Sequence, residues 1–214
     1  MPMALCSFRP LVLLLTIFLA AFAVSTRATA DGKAPAPPPA DSMFLRACCA
    51  NTTNASACYD SLIPLAGSFH GNRVRVARAA AVLAFARLRG FHDELRRLQP
   101  RAGAGRVVDM ALQFCATSAE VCLGSEGDSL AELRRLETAA GRRRGEQAEW
   151  DLYNARLYVG GIGPCATLCV DDLASIGDAV LASPVGKKVV AWAAPVLLYG
   201  DIAADLVDSI KLGM

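Results

Sequence analysis

Between Val74 and Leu98 the apolar residues Val74, Ala77, Ala81, Ala84, Leu88, Phe91, Leu95 and Leu98 recur every three or four positions, with arginines filling much of the remainder. That spacing draws one apolar stripe along a helix and cannot line one face of a strand, so it commits the chain to packing long helices side by side. Asn72 stands where an N-cap belongs, and Pro100, Gly103 and Gly105 supply the stop.

Three further segments follow the same rule. A second helix is expected from about Arg106, with Val108, Leu112, Cys115, Ala119 and Cys122 on one face. Its pattern resumes at Leu130, Leu133 and Leu136 after a kink at Gly124 and Gly127, and runs to the basic turn GRRRG at 141–145. A third, from Glu146 to about Leu173, opens with Trp150, Leu152 and Leu157 and is interrupted by Gly160, Gly161, Gly163 and Pro164. A fourth, from about Gly186 to Leu212, carries Val189, Ala193, Val196, Gly200, Ala203, Val207 and Ile210, with Pro195 as a kink. No segment alternates as a strand does. The fold class read from this pattern is all-α, an antiparallel four-helix bundle.

What precedes the bundle has a different character. Arg9 followed by the apolar run from Leu11 to Val24, with Ala28-Thr29-Ala30 as a small-residue cleavage site, reads as a secretory signal over 1–30. Residues 31–42, DGKAPAPPPADS, read as a Pro/Ala-rich disordered leader, and the domain is placed at 43–212. No later stretch holds eighteen uninterrupted apolar residues, so no membrane partner is expected once the signal is gone.

Charge excludes one class of function. Removing the signal takes Arg9 and Arg27 and leaves twenty basic against twenty acidic residues, no footprint for nucleic acid. The balance is uneven along the chain, with ten basic and five acidic residues over 31–105 and ten and fifteen from 106 onward. Neighbouring helices of complementary sign are the reading.

Seven cysteines survive signal removal: Cys48, Cys49, Cys58, Cys115, Cys122, Cys165 and Cys169. In an oxidising compartment the default is disulfides, with an odd one over. Zinc is the rival for Cys165 and Cys169, but both histidines, His70 and His92, lie in the first helical region and no CxxC occurs, so metal and redox motifs are set aside. Cys115 and Cys122 share a helix face, as do Cys165 and Cys169. If helices two and three run antiparallel, Cys115 meets Cys169 and Cys122 meets Cys165, although a rise of roughly 10 Å on one helix against 6 Å on the other fits the second bridge less well.

No catalytic motif appears: there is no GxSxG, HExxH or Walker loop, no cofactor is expected, and neither histidine has a nucleophile beside it. His70 is assigned to a loop and His92, next to Asp93 and Glu94, to a solvated helix position. A disulfide-rich lipid-binding or storage scaffold is the alternative among non-enzymes, but its Cys-Cys doublet would stand mid-chain and here it opens the domain.

Cys49-Ala-Asn-Thr52 leads to Cys58 and Ser61-Leu62; Ala111-Leu112-Gln-Phe-Cys115 follows within the second helix; Val159-Gly160-Gly161-Ile162-Gly163 leads to Cys169. Together these three stretches resemble the plant invertase and pectin methylesterase inhibitor family. The chain departs from the family's pattern at Asn54-Ala55 and at GGIGP. The resemblance implies an N-terminal helical hairpin stapled by Cys49–Cys58, a Cys115–Cys169 bridge, and Cys48, Cys122 and Cys165 as extras. It also implies a secreted protein of the apoplast or cell wall that reversibly occludes a pectin methylesterase or an acid invertase. Helices two and three are expected to hold the contact residues, with Glu120, Trp150, Asp151 and Tyr153 as candidates and Trp150 assigned to the core before the interface. Asn51-Thr52-Thr53 and Asn54-Ala55-Ser56 are both glycosylation triplets, which call for an accessible segment; crowding should leave one or neither occupied.

Overall fold

The computed structural model describes residues 37–98, 103, 105–139 and 145–212. The expected signal, residues 31–36 of the leader, Pro100 and the basic turn at 141–144 lie outside the described residues.

The chain enters through helix α1, Pro39–Cys49, so it is helical from Pro39 and not only from Met43. Proline at the first helical position needs no N–H partner there, and Asp41 in the first turn faces the positive end of the helix dipole. Helix α2, Ala55–Leu62, starts at Asn54, whose side-chain oxygen accepts the Ala57 N–H at 3.0 Å. The Cys49–Cys58 disulfide ties the two into a hairpin, with Cα atoms 5.6 Å apart. A single 3-10 turn and the short α3, Ala66–Phe69, close with His70 in the left-handed region at φ 48°. His70 is therefore a helix C-terminal turn residue, in keeping with the loop expected.

Helix α4, Arg73–Leu98, is the long helix read from the sequence, and Asn72 caps it by accepting the N–H groups of Val74 at 2.9 Å and Arg75 at 3.4 Å. The second arm comprises α5, Arg106–Gly124, and α6, Glu126–Ala139, broken at Ser125 as the glycines suggested. The third comprises α7, Glu146–Gly160, and α8, Ile162–Ile176, which meet at Gly161. Gly161 keeps right-handed backbone angles, φ −76° and ψ −16°, so GGIGP interrupts the arm for one residue without turning it. After the short α9, Asp178–Ala182, comes α10, Pro184–Asp208, capped by Ser183 and containing Pro195.

The four arms close a ring. Helix α4 packs on the second arm, α5 packs on α8 and α6 on α7, and both halves of the third arm pack on α10, which returns to α4. Pairing the start of arm two with the end of arm three makes them antiparallel. The result is the expected antiparallel four-helix bundle with the N-terminal hairpin set against α4. Val76, Ala77, Ala80, Ala81, Ala84, Phe85, Leu88, Phe91 and Leu95 of α4 form one wall of the core, facing Leu112, Leu133, Val159, Leu173, Val196 and Leu206.

Charge complementarity between halves is realised where α4 meets α6. Arg75 and Arg78 donate to the two oxygens of Glu137 at 2.7 and 2.8 Å, and Arg89 donates to Glu126. The hairpin is fixed at its tip as well: the Thr53 N–H and hydroxyl both donate to Asp205 Oδ2, at 2.6 and 2.7 Å, on the last turns of α10.

GGIGP has a packing role that its helix-breaking composition hides. A Cβ placed on Gly200 of α10 would stand 2.9 Å from the Gly163 nitrogen and 3.2 Å from its Cα, so the two backbones touch. Gly200→Val should therefore cost about 2–3 kcal/mol by overpacking. In a domain of this size that lowers the melting midpoint by roughly 4–12 °C. Gly90, inside α4, has open space at its Cβ position. Gly90→Ala should accordingly stabilise by about 0.5–1 kcal/mol, and thermal melts of the two variants should move in opposite directions.

Candidate functional site: the outward face of helices two and three

Each of these arms is apolar twice over. On α5 the buried residues Val108, Leu112, Cys115, Ala116 and Ala119 face the core, while Val107, Met110, Phe114 and Val121 are exposed. At 100° per residue those four fall within about 60° of one another, on the side opposite the core. On α7 the exposed set is Trp150, Tyr153 and Leu157, again three and four apart and opposite Ala148, Leu152, Ala155 and Val159; Leu168 continues exposed on α8. Trp150 and Tyr153 stack, with ring centroids 5.8 Å apart and planes inclined by 24°.

The disulfides fix how the two stripes stand to each other. Cys115–Cys169 and Cys122–Cys165 join α5 to α8, with Cα separations of 4.8 and 6.7 Å, as the antiparallel reading required. These cysteines mark the shared seam, and each outward stripe lies about a quarter turn or slightly more away from it on the solvent side. Both stripes thus look outward on the same side of the bundle: that of α5 lies beside Leu168 of α8, where two covalent bonds clamp the helices underneath, and that of α7 lies beside α6 at the other end of the two arms. Large exposed apolar patches of this kind mark interaction sites.

The sequence-named contact residues separate on this geometry. Tyr153 is on the face. Trp150 is also there, 59% exposed, and not in the core that its apolar spacing suggests: two turns of apolar spacing run along the outside of α7 as well as the inside. Asp151 is no surface contact, being only 3% exposed. Its Oδ1 accepts from Arg135 Nε at 3.0 Å, Arg135 Nη2 at 2.9 Å and Gln147 Nε2 at 3.0 Å, so it joins α7 to α6. Glu120 is exposed on α5 but about 110° from the apolar stripe, on the flank away from α8. Leu157, named with Trp150 and Leu152 in the apolar pattern of the third helix, stands on the outward side; Leu168 joins it, and the spacing of three, four and seven that links Val107, Met110, Phe114 and Val121 is likewise present in the sequence.

The same double apolarity explains a second discrepancy. By length and mean hydropathy the helical spans 106–138, 146–176 and 184–208 are each apolar enough to cross a membrane, whereas counting uninterrupted apolar runs found none. In the first two spans, stripes on opposite sides raise the mean without removing the polar residues between them.

The remaining chemistry-bearing groups lie elsewhere. Cys48 is free and buried, and burial pushes its thiol up against the weaker opposing pull of Arg73, which leaves it a poor nucleophile. His92 is half-buried, not solvated: its Nδ1 is 3.5 Å from Asp93, and its Nε2 is buried without a hydrogen-bond partner. Among the described residues no group of three or more His, Cys, Asp or Glu could hold a metal ion. Asn51 and Asn54 are both exposed at the hairpin tip.

A crystal structure of a mutant form of a pectin methylesterase inhibitor from Arabidopsis aligns with 77% of this chain and 95% of its own, with a TM-score of 0.57 and 17% sequence identity. The chain has the fold of a pectin methylesterase inhibitor. The fold is thus kept while about five residues in six differ. An uncharacterized protein of Oryza sativa subsp. japonica is 34% identical over 140 residues, which is 62% of this chain; the chain spans 59% of that protein's length. No family model matches the sequence.

Proposed function

We propose that this protein is a secreted inhibitor that seats the outward face of helices two and three on an extracellular carbohydrate-active enzyme, a pectin methylesterase or an acid invertase, and covers its substrate cleft. The observation that carries the reading is the apolar face itself, with the stacked Trp150 and Tyr153, on a bundle that shares its fold with a pectin methylesterase inhibitor. Stacked aromatics are the residues that dominate binding energy at protein interfaces. The part of the face on α5 and α8 is clamped by two disulfides and has little freedom to lose on docking, which conserves binding energy. Occlusion of this kind is steric and needs neither a catalytic group nor a cofactor.

The hairpin is compatible with the same reading. It rests on α4 and reaches α10 through Thr53 and Asp205, the two arms on the other side of the ring from the docking face. Glycans on Asn51 or Asn54 would therefore leave the face open, and the three disulfides suit an oxidising extracellular compartment. The deciding experiment titrates the domain from Pro39 onward, refolded with its disulfides formed, against a purified pectin methylesterase and a purified acid invertase. Saturable inhibition of one of them is expected; activity of both unchanged at micromolar concentrations of this protein would overturn the proposal.

A further inference from the structure

Behind the docking face, where α6 lies along α7, two buried carboxylates share one guanidinium. Asp151 is 3% exposed and Glu132 5% exposed. Asp151 takes two hydrogen bonds from Arg135 and one from Gln147, while Glu132 Oε1 lies 3.9 Å from Arg135 Nη2 and its Oε2 is buried with no hydrogen-bond partner. A charged oxygen without a donor in that position costs free energy, and a second carboxylate beside it adds repulsion. Protonation removes both penalties at once, because Glu132 then loses its charge and gains an O–H to donate.

From this cluster we infer that Glu132 is a proton-operated latch between α6 and α7. Protonated, it sheds its buried charge and lets the two helices close together; ionised, it keeps the hydrogen bond from Asn154 and the distant Arg135 but holds Oε2 charged without a donor, and the junction loosens. Among the described residues, Arg135 is the one cation that acts on it. Asp151 and Asn154 face it from α7, Asp128 and Arg135 from its own helix. The guanidiniums that α4 offers to α6 are taken, Arg75 and Arg78 by Glu137 and Arg89 by Glu126. Burial is the largest influence on Glu132 and raises its carboxyl above the usual range, with Asp151 and Asp128 adding to it and Asn154 and Arg135 opposing. What the latch governs follows only if the docking reading holds: α7 carries Trp150 and Tyr153, so a closed latch steadies that part of the face.

The sign of the pH effect is fixed by linkage. A carboxyl whose folded value lies above its unfolded one binds more protons when folded, so the penalty is absent below the unfolded value near pH 4.3 and fully present above the folded value. The α6–α7 junction should therefore weaken as pH rises through the interval between the two. Each unit by which the folded midpoint is raised corresponds to a tenfold change in the local opening equilibrium.

Carbon-13 NMR of the Glu132 side-chain carboxyl in the wild-type domain tests the latch directly, with the domain's amide exchange followed over the same pH range and corrected for intrinsic rates. A midpoint above the ordinary glutamate value, with protection of α6 and α7 falling across that midpoint and that of α4 and α10 holding, is expected. Glu132→Gln, uncharged and able to donate, should keep α6 and α7 protected across the whole range. An ordinary midpoint, or the same pH dependence of α6 and α7 protection in the wild type and the variant, would overturn the latch. Neither readout involves an enzyme, so failure of the inhibitor proposal would leave this result standing, and the reverse.

Discussion

Replacing Cys115, Cys122, Cys165 and Cys169 together by alanine is expected to unfold the domain under conditions where either disulfide alone keeps it folded. Cys115–Cys169 closes a separation of 54 residues and Cys122–Cys165 one of 43, and the second lies inside the first. Constraining a loop of that length removes about 4 kcal/mol of chain entropy from the unfolded state. Once one bridge holds α5 to α8, the other closes only about eleven further residues and is worth about 3 kcal/mol on the same scale. Removing both therefore costs about 7 kcal/mol, comparable to the whole stability of an ordinary domain, whereas removing one costs about 3. Urea titrations of the two paired variants and the fourfold variant check this. Paired variants that are already unfolded in buffer, or a fourfold variant as stable as the wild type, would contradict the nested-loop account.

The arithmetic of cysteines was open to reading because helices are regular. Residues seven or four apart share a face, and antiparallel arms must pair the first cysteine of one with the last of the other. The long stripe of α4 and its Asn72 cap were legible for the same reason: both are set by spacing within one segment. The four-helix class followed from four such segments without a strand pattern between them. Where the reading went astray, a long-range partner or a second pattern was involved. The start of α1 at Pro39 was hidden because proline and alanine dominate the leader, and composition alone does not distinguish a spacer from a helix that opens on proline. Acids usually stand at the surface; Arg135, sixteen residues earlier on another helix, together with Gln147 makes the burial of Asp151 tolerable.

The functional face was the hardest part to see, and for a physical reason. A search for one amphipathic stripe stops once a core side is found, and α5 and α7 each satisfy that search with their inner residues. Their outer stripes then read as excess hydropathy. GGIGP shows the opposite error, since residues that look like a break allow two backbones to meet at Gly163 and Gly200. Local rules give such a segment its conformation; only the partner helix gives it a purpose.

On the target enzyme, the double substitution Trp150→Ala with Tyr153→Ala should weaken inhibition about a hundredfold, close to 3 kcal/mol. The two rings stack on one another and both stand in solvent, so together they offer a preformed aromatic platform to a partner. Because neither side chain is part of the core, the variant should keep the wild-type helix content and melt within a few degrees of it. That separates loss of docking from loss of fold. Glu120→Ala supplies the internal contrast: Glu120 is also exposed but lies on the flank of α5 turned away from α8, and its removal should leave the inhibition constant within about threefold. Inhibition kinetics measured side by side decide between the two faces. If the aromatic pair proves silent and Glu120 matters, contact runs along the α4 side of helix two, and the apolar stripes of α5 and α7 must be assigned another occupant.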